Sequence, residues 1–187
     1  MYSNIKKTNK RFKCAILSFL FALASYSLAA PVTIAPSTIP TGGEIKAGVA
    51  TITSNQSTLN INQTSQQAII NWQTFHLGSE GIVNFNQPNA NASTLNRVLD
   101  TNPSQIFGQI RAPGEVILIN PAGIYFGPTA SVNVGSLIAS TQNISDSNYL
   151  SGKRTFSRDD AQGAIVNDGS LQSDLKGYIA MLAPEVQ

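Results

Sequence analysis

An internal repetition constrains the fold of this chain more than any other feature of its sequence. The octapeptide Ala130–Leu137 recurs as Ala164–Leu171 with six of its eight positions identical, at an offset of 34 residues. A looser echo relates Gly114–Pro121 to Gly177–Pro184, at an offset of 63 residues. Repeats of this kind are typical of solenoids, in which each unit stacks on its neighbours. We attribute the mismatch between the offsets to an insertion, the polar and charged stretch 142–162, and expect it to be a surface loop.

The repeated segments are short, apolar and bounded by turn residues. Val116–Ile119 lies between Pro113-Gly114 and Asn120-Pro121, for example. Such runs predict β-strands, and Asn and Gly tolerate the left-handed conformation that a tight corner needs. The pattern favours an all-β coil of stacked strands, with an ordinary β-sandwich as the alternative. One short helical turn is expected around Ser65–Trp72.

The first 29 residues have the three parts of a secretory signal peptide. Five basic residues precede the uncharged apolar stretch Cys14–Tyr26, and the small residues of Ser27–Ala29 follow. The apolar stretch is shorter than the about 20 residues that span a bilayer. We expect residues 30–187 to form one exported domain. This part retains seven Lys and Arg against ten Asp and Glu, so it lacks the basic excess of a nucleic-acid-binding protein.

Few residues of this chain are suited to catalysis or metal binding. The single cysteine, Cys14, falls in the signal peptide, and His76 is the single histidine. One histidine without cysteine does not make a zinc site. Asp159 and Asp160 could serve as a pair of hydrolytic carboxylates, but neighbouring side chains in an extended loop diverge. We therefore expect a binding protein rather than an enzyme, without a cofactor or a metal.

The stretch from Leu95 to Thr141 carries a series of motifs in a specific order, and Val83-Asn-Phe-Asn-Gln-Pro88 precedes it. The series is Leu95-Asn-Arg-Val98, Pro103-Ser-x-Ile-x-Gly108, Gly114-x-Val-x-Leu-Ile-Asn-Pro-Ala-Gly-Ile124, Phe126-Gly-Pro128, Ala130-x-Val-Asn-Val-Gly135 and Leu137-x-Ala-Ser-Thr141. Together they resemble the secretion domain of two-partner-secretion (TPS) exoproteins of Gram-negative bacteria, also called the filamentous haemagglutinin N-terminal domain. The resemblance extends over Thr38–Pro184.

The resemblance implies a right-handed parallel β-helix with an N-terminal β cap. It implies one partner, an outer-membrane β-barrel transporter whose periplasmic receptor domains recognise the unfolded chain, and a final location on the cell surface or in the medium. The effector downstream is usually an adhesin, a haemolysin or a contact-dependent toxin, and a host-cell or neighbouring-cell ligand would bind there. Because the sequence stops soon after a strand, we expect it to be the N-terminal piece of a longer protein.

Two alternatives to the secretion function remain at this stage. A stand-alone β-helical adhesin would have the same composition. A polysaccharide-active enzyme would need clustered Asp, Arg or Lys on one face, and the mature part of the chain is poor in all three.

The resemblance assigns the main candidate site to one turn. The family motif Asn-Pro-Asn-Gly-Ile corresponds here to a segment with Ala122 in place of the second Asn, and the resemblance implies transporter recognition there. A purely structural turn is an equal alternative, because Pro at the second position and Gly near the end are typical turn residues. The second family motif, Asn-Pro-Asn-Leu, is absent from this region. The candidate residues are Asn120, Pro121, Ala122, Gly123 and Ile124, with Asn86, Gln87, Pro88 and Arg97 as the secondary region.

Overall fold

The computed structural model describes residues 34–159 and 161–187, which are almost entirely β-structure. The predicted signal peptide 1–29 and Asp160 lie outside the described residues. The elements are β1 (Glu44–Ala47), β2 (Ala50–Asn55), β3 (Thr58–Gln63), β4 (Gln67–Trp72), β5 (Ile82–Asn86), β6 (Ser93–Val98), β7 (Ser104–Ile106), β8 (Gln109–Ile119), β9 (Ile124–Phe126), β10 (Ser131–Ser140), α1 (Asp146–Leu150), β11 (Ile165–Asn167), β12 (Ser170–Ser173) and β13 (Ile179–Leu182).

The strands stack in parallel on three faces. Face A consists of β3, β5, the first halves of β8 and β10, and β12. Face B consists of β4, β6, the second halves of β8 and β10, and β13. Face C consists of β7, β9 and β11. Because the chain visits A, B and C in turn and each strand pairs with the equivalent strand of the next coil, the predicted parallel β-helix is confirmed.

Glycines mark the corner at which the chain bends from face A to face B. A Cβ atom at Gly114 would collide with the carbonyl oxygen of Ala92, and one at Gly177 would collide with that of Gly135. The coils therefore approach more closely at this corner than any side chain allows. This packing explains why β8 and β10 continue through the bend, with a register shift between Val134 and Ser136.

An antiparallel cap closes the N-terminal end, as the family resemblance implies. β1 pairs antiparallel with β4, and β2 pairs antiparallel with β3. Trp72 and Phe75 are buried beside this cap with their rings edge to face, 5.6 Å apart. The indole Nε1 of Trp72 donates to Asn96 Oδ1 at 3.0 Å, so its polar atom is satisfied inside the core.

The prediction of a helical turn at Ser65–Trp72 is wrong, because this segment is β4. Ala68, Ile69 and Ile70 are all completely buried, since the strand is covered on both sides. The sequence of a strand that is buried on both sides is a continuous apolar run. Such a run lacks the alternation of apolar and polar residues by which a strand is identified.

The conspicuous octapeptide repeat does not correspond to the structural repeat. Val132 pairs with Leu171 and Leu137 pairs with Ile179, so the two copies do not stack in the register of their identical residues. The looser echo is the structural one, because Val116 pairs with Leu137, which in turn pairs with Ile179. The octapeptides match because both contain a short strand segment with an Asn, followed by a Gly at a corner, but the two corners occupy different positions of the coil.

The predicted surface loop 142–162 is a partly ordered excursion that covers face B. It contains α1, whose N-cap Ser145 accepts a hydrogen bond from Asn148 N through its side chain. Ile144, Tyr149 and Phe156 of this excursion pack on apolar residues of the outer side of face B, namely Ile69, Leu95, Ile117, Ile119 and Ile138. The excursion is therefore inserted between faces B and C and lies at the surface, with its polar residues exposed and its apolar side chains packed on face B. Over residues 34–159 and 161–187, no helix is long and apolar enough to cross a membrane.

Candidate functional site

The segment Asn120–Ile124 forms the corner between face B and face C. Gly123 N donates to Asn120 O at 3.0 Å and closes the turn. Ala122 N donates to Asn120 Oδ1, also at 3.0 Å, so the asparagine side chain supports its own turn. Gly123 has φ of +123°, a conformation that other residues avoid. The local sequence therefore specifies this corner.

Asn120 is completely buried and connects three successive coils. Its Nδ2 donates to Asn102 O at 3.0 Å and to Ser104 Oγ at 2.9 Å, both before it in the chain. Its backbone N–H donates to Ser140 O at 3.0 Å on the following coil. Loss of this side chain would leave buried polar groups unsatisfied, which costs about 1–3 kcal/mol. In the folded domain, Asn120 is thus a structural residue.

The exposed part of this turn is limited to Pro121 and Ala122. Pro121 is exposed and Ala122 is half-buried, whereas Gly123 and Ile124 are buried. With Asp100 and Asp159, the two residues line a shallow cavity of about 530 Å³. Pro121 O accepts a hydrogen bond from Gly163 N, so the end of the excursion is attached to the turn.

The departure from the family motif at position 122 leaves the turn intact. The hydrogen bond that Ala122 makes in the turn comes from its backbone N–H. A side-chain amide at this position is not needed for the turn, because Asn120 already supplies the side-chain acceptor.

His76 and Asp100 lie beside this corner. His76 Nδ1 accepts a hydrogen bond from Gln105 N at 3.2 Å, and His76 Nε2 lies 3.4 Å from Asp100 Oδ2. Burial by itself would raise the pKa of the Asp100 carboxyl. The opposing contributions are larger, so this pKa lies below its usual value; they come from the hydrogen bonds of Asn102, the charge of His76 and the backbone hydrogen bond of Thr101. His76 is a packed hydrogen-bond acceptor here. Within the described residues, no three His, Cys, Asp or Glu side chains are grouped to hold a metal.

Gln87, in the secondary candidate region, belongs to a buried row of polar side chains at the corner between faces A and B. Its Nε2 donates to Thr94 Oγ1 at 2.9 Å and to Glu115 O at 3.0 Å, while its Oε1 accepts from Gly114 N at 2.8 Å. Thr94 Oγ1 donates in turn to Gln63 Oε1 at 2.6 Å. Sequence analysis missed Gln63 and Thr94. Their hydrogen bond joins residues that lie 31 positions apart, so no local pattern indicates the polar row.

The neighbours of Gln87 lie on the surface. Asn86 is exposed and donates through Nδ2 to Asn62 Oδ1 at 2.8 Å, and Pro88 is also exposed. The structure does not bring this segment together with the turn at Asn120, because the two occupy different corners of the coil.

Arg97, the fourth residue of the secondary region, lies instead on the outer side of face B and holds the excursion. Its Nη2 contacts Asp146 Oδ1 at 2.9 Å and donates to Ile144 O at 2.8 Å. Its Nε donates to Asn143 Oδ1 at 3.1 Å. Arg97 therefore attaches the start of the excursion. None of its hydrogen bonds in the described structure is made to the Asn86–Pro88 segment.

A second cluster, which sequence analysis missed, attaches the middle of the excursion, after α1. Arg154 Nη2 contacts Glu115 Oε2 at 2.7 Å, and its guanidinium lies over the ring of Tyr149, 5.1 Å from the centroid. Tyr149 OH and Ser93 Oγ are 2.7 Å apart. Burial raises the pKa of Tyr149. Burial and the hydrogen bond to Glu115 raise the pKa of Tyr178 to about 12.

The family comparison covers nearly the whole described part of the chain. The model of the family described as TPS secretion domain matches residues 34–187. The chain belongs to the TPS secretion domain family. A solved structure, the HMW1 secretion domain from Haemophilus influenzae, shares 33% sequence identity with a TM-score of 0.74, over 79% of this chain and 40% of that chain. The predicted family is confirmed by these two findings.

Two curated relatives carry the name Heme/hemopexin-binding protein, both from Haemophilus influenzae. The one from strain Rd is 33% identical over 136 residues, which is 71% of this chain and 15% of the relative. The other is 34% identical over 127 residues, which is 66% of this chain and 14% of the relative. This TPS domain thus spans about one seventh of the length of the relatives it matches.

Proposed function

We propose that residues 30–187 are bound, during export, by a cognate outer-membrane β-barrel transporter with periplasmic receptor domains. The observation that carries the proposal is the TPS family match over residues 34–187, supported by the likeness to the HMW1 secretion domain. A TPS secretion domain is a transport-recognition module rather than a member of a catalytic family. The domain accordingly reaches the cell surface or the medium through the periplasm, and has no enzymatic role.

The fold suits a chain that folds as it emerges from a transporter. Each strand of faces A and B pairs with a strand of the coil before it, and the N-terminal cap provides the first template. The side chains of Asn120 and Gln87 find their partners on strands or carbonyls of adjacent coils. They are exposed in the unfolded chain and become satisfied only as coils are added, so folding from the cap onward would favour outward movement.

The turn at Asn120–Ile124 acts at two stages of this process. Because Asn120 is buried in the folded domain, a receptor that reads it directly must meet the unfolded chain. The same residues then close the corner between faces B and C. The buried Gln87 and the partly buried Arg97 act in the folded state, where their side chains join adjacent segments.

A capture experiment separates recognition from folding. The denatured mature chain is diluted onto immobilised periplasmic receptor domains of the cognate transporter, and captured protein is measured. The double substitution Asn120→Ala and Pro121→Ala is expected to reduce capture about tenfold, as the loss of one or two hydrogen-bonded contacts would.

Ser104→Ala is the matched control, because it removes a folded-state partner of Asn120 and leaves the motif unchanged. Its capture is expected to equal that of the wild type, while its folded form is less stable. Equal capture of the double variant and the wild type would refute recognition through this turn.

The effector downstream is proposed to be an adhesin, a haemolysin or a contact-dependent toxin. The names of the two Haemophilus influenzae relatives add binding of heme or hemopexin to these classes. Deletion of a neighbouring transporter gene tests the export route, since a TPS exoprotein then accumulates inside the outer membrane. A stand-alone adhesin would instead reach the surface without that transporter.

A further inference from the structure

The outer side of face A presents its polar side chains in register across five strands. In the central row Asn60 pairs with Asn84, Asn84 with Arg111, Arg111 with Asn133, and Asn133 with Gln172. Neighbouring strands lie about 4.8 Å apart. The stack therefore holds hydrogen-bonding side chains at regular intervals on a rigid sheet.

The row beside it is uncharged, and its members are in register as well. Asn84 Nδ2 donates to Asn60 Oδ1 at 3.0 Å, so these amides are oriented before any ligand arrives. An amide has two N–H donors and an oxygen with two lone pairs, which leaves capacity for a ligand after this bond. No Asp or Glu occurs in either row; the second row consists of Thr58, Ile82, Gln109, Ser131 and Ser170.

Arg111 differs from the two arginines that hold the excursion. Arg97 and Arg154 form ion pairs with carboxylates. The ion pairs found over the described residues do not include Arg111, which is exposed and donates to the side-chain oxygen of Gln109. A guanidinium has five N–H donors in a planar fork, so most of this one is available to a ligand.

A cleft opens beside Arg111 because two strands diverge. The pairing of β5 with β8 ends at Asn84 and Arg111, while β5 continues to Asn86, which still pairs with Asn62 of β3. The resulting cleft has a volume of about 370 Å³, and Asn84, Asn86, Arg111 and Asn133 contribute to its lining.

We propose that this cleft binds an acidic saccharide, with a sugar carboxylate on Arg111 and sugar hydroxyls on the flanking asparagines. The guanidinium fork matches a carboxylate in two parallel hydrogen bonds. Hydroxyl groups both donate and accept, as amide side chains do. The polar rows of face A continue on either side of the cleft and would contact adjoining sugar units of a longer chain.

An acidic peptide fits this surface less well. Extended peptides commonly bind by adding a strand to a free sheet edge. β5 and β8 are interior strands, since β5 lies between β3 and β8, and β8 lies between β5 and β10 on face A. The cleft therefore offers side-chain groups instead of a free backbone edge.

The test is isothermal titration of the full folded chain with tetragalacturonate, the neutral galactose tetramer and a hexaglutamate peptide. The acidic sugar is expected to bind, and the neutral sugar to bind at least tenfold more weakly. Arg111→Gln should weaken binding of the acidic sugar by about tenfold or more, as expected for a charged hydrogen-bonded pair. Arg111→Lys should recover part of this loss, because it restores the charge without the fork.

Lys153→Gln provides the matched control, since it removes one exposed positive charge from the excursion. Its affinity for tetragalacturonate is expected to equal that of the wild type. Thermal unfolding of each variant checks that the fold is retained. The proposal is overturned if the wild type does not bind tetragalacturonate at about 1 mM, if Arg111→Gln and Lys153→Gln bind alike, or if hexaglutamate binds as tightly as the acidic sugar.

Discussion

Faces A and B share two long strands, since β8 and β10 pass through both, yet their outer sides differ. The outer side of face A is uncharged apart from Arg111 and open to solvent. The centre of the outer side of face B is apolar and is covered by the excursion, which Arg97 attaches at its start and Arg154 holds further along. One coil geometry therefore supports two kinds of surface, and the difference lies in the alternate residues of each strand.

The comparison shows that the parallel stack itself does not need a second layer. Face A is stable with one side in the core and the other in water, as strands with alternating apolar and polar residues are. Face B carries an apolar cluster on its outer side as well as on its core side, so that cluster needs a cover. Substitutions in the excursion should therefore affect stability far more than equivalent changes on the outer side of face A.

The largest effect is expected for Tyr149→Ala. Tyr149 is completely buried between the excursion and face B, and truncation of a buried aromatic side chain costs about 3–5 kcal/mol. Urea unfolding of the full chain measures this change. A loss below about 1 kcal/mol would mean that the excursion is not a required cover.

Arg97→Ala should have an intermediate effect. It removes the hydrogen bonds to Ile144, Asn143 and Asp146 at the start of the excursion, and a loss of about 1–3 kcal/mol is expected because these bonds come from a charged group and two of them are partly buried. Hydrogen exchange should increase in residues 143–157 and remain unchanged in β3 and β5. Equal increases on both faces would contradict a local role.

Alkaline pH should lower the free energy of unfolding, because the tyrosines that contact face B ionise. The folded-state pKa values of Tyr149 and Tyr178 are raised, that of Tyr178 to about 12. A raised pKa contributes stability below the unfolded-state value of about 10, and that stability is lost as pH rises through the folded-state value. The stability of the wild type should fall between about pH 10 and pH 12, whereas the double variant Tyr149→Phe and Tyr178→Phe should fall less.

The smallest effect is expected on face A. Asn84→Ala removes one partly buried amide hydrogen bond to Asn60 on the solvent side of the sheet, and surface substitutions change stability by about 0.5 kcal/mol or less. Urea unfolding is again the measurement. A loss above about 1 kcal/mol would show that the amide ladder holds the coils together, and would remove the contrast between the faces.

Prediction from sequence succeeded where a residue acts within its own turn. Pro121, Gly123 and the side chain of Asn120 specify the corner by local bonds, as their turn chemistry predicts, whereas the transporter recognition that the family resemblance implies for them stays a prediction. It failed where two segments meet. The octapeptide repeat indicated a false register, because identical corners can occur at different positions of a coil. The segment Gln67–Trp72 was misassigned because burial on both sides removes the periodicity of a strand.

The sequence by itself determined the family, the strand-rich coil and the turn at Asn120, because these depend on local motifs and on their order along the chain. Only the tertiary structure decided which strands stack, that Arg97 holds the excursion, that Gln87 joins a buried polar row and that Arg111 forms no ion pair within the described part of the chain. Those features arise between residues that are distant in sequence. Their partners are set by the register of the coils, and the register depends on packing at corners such as Gly114 and Gly135 rather than on any single motif.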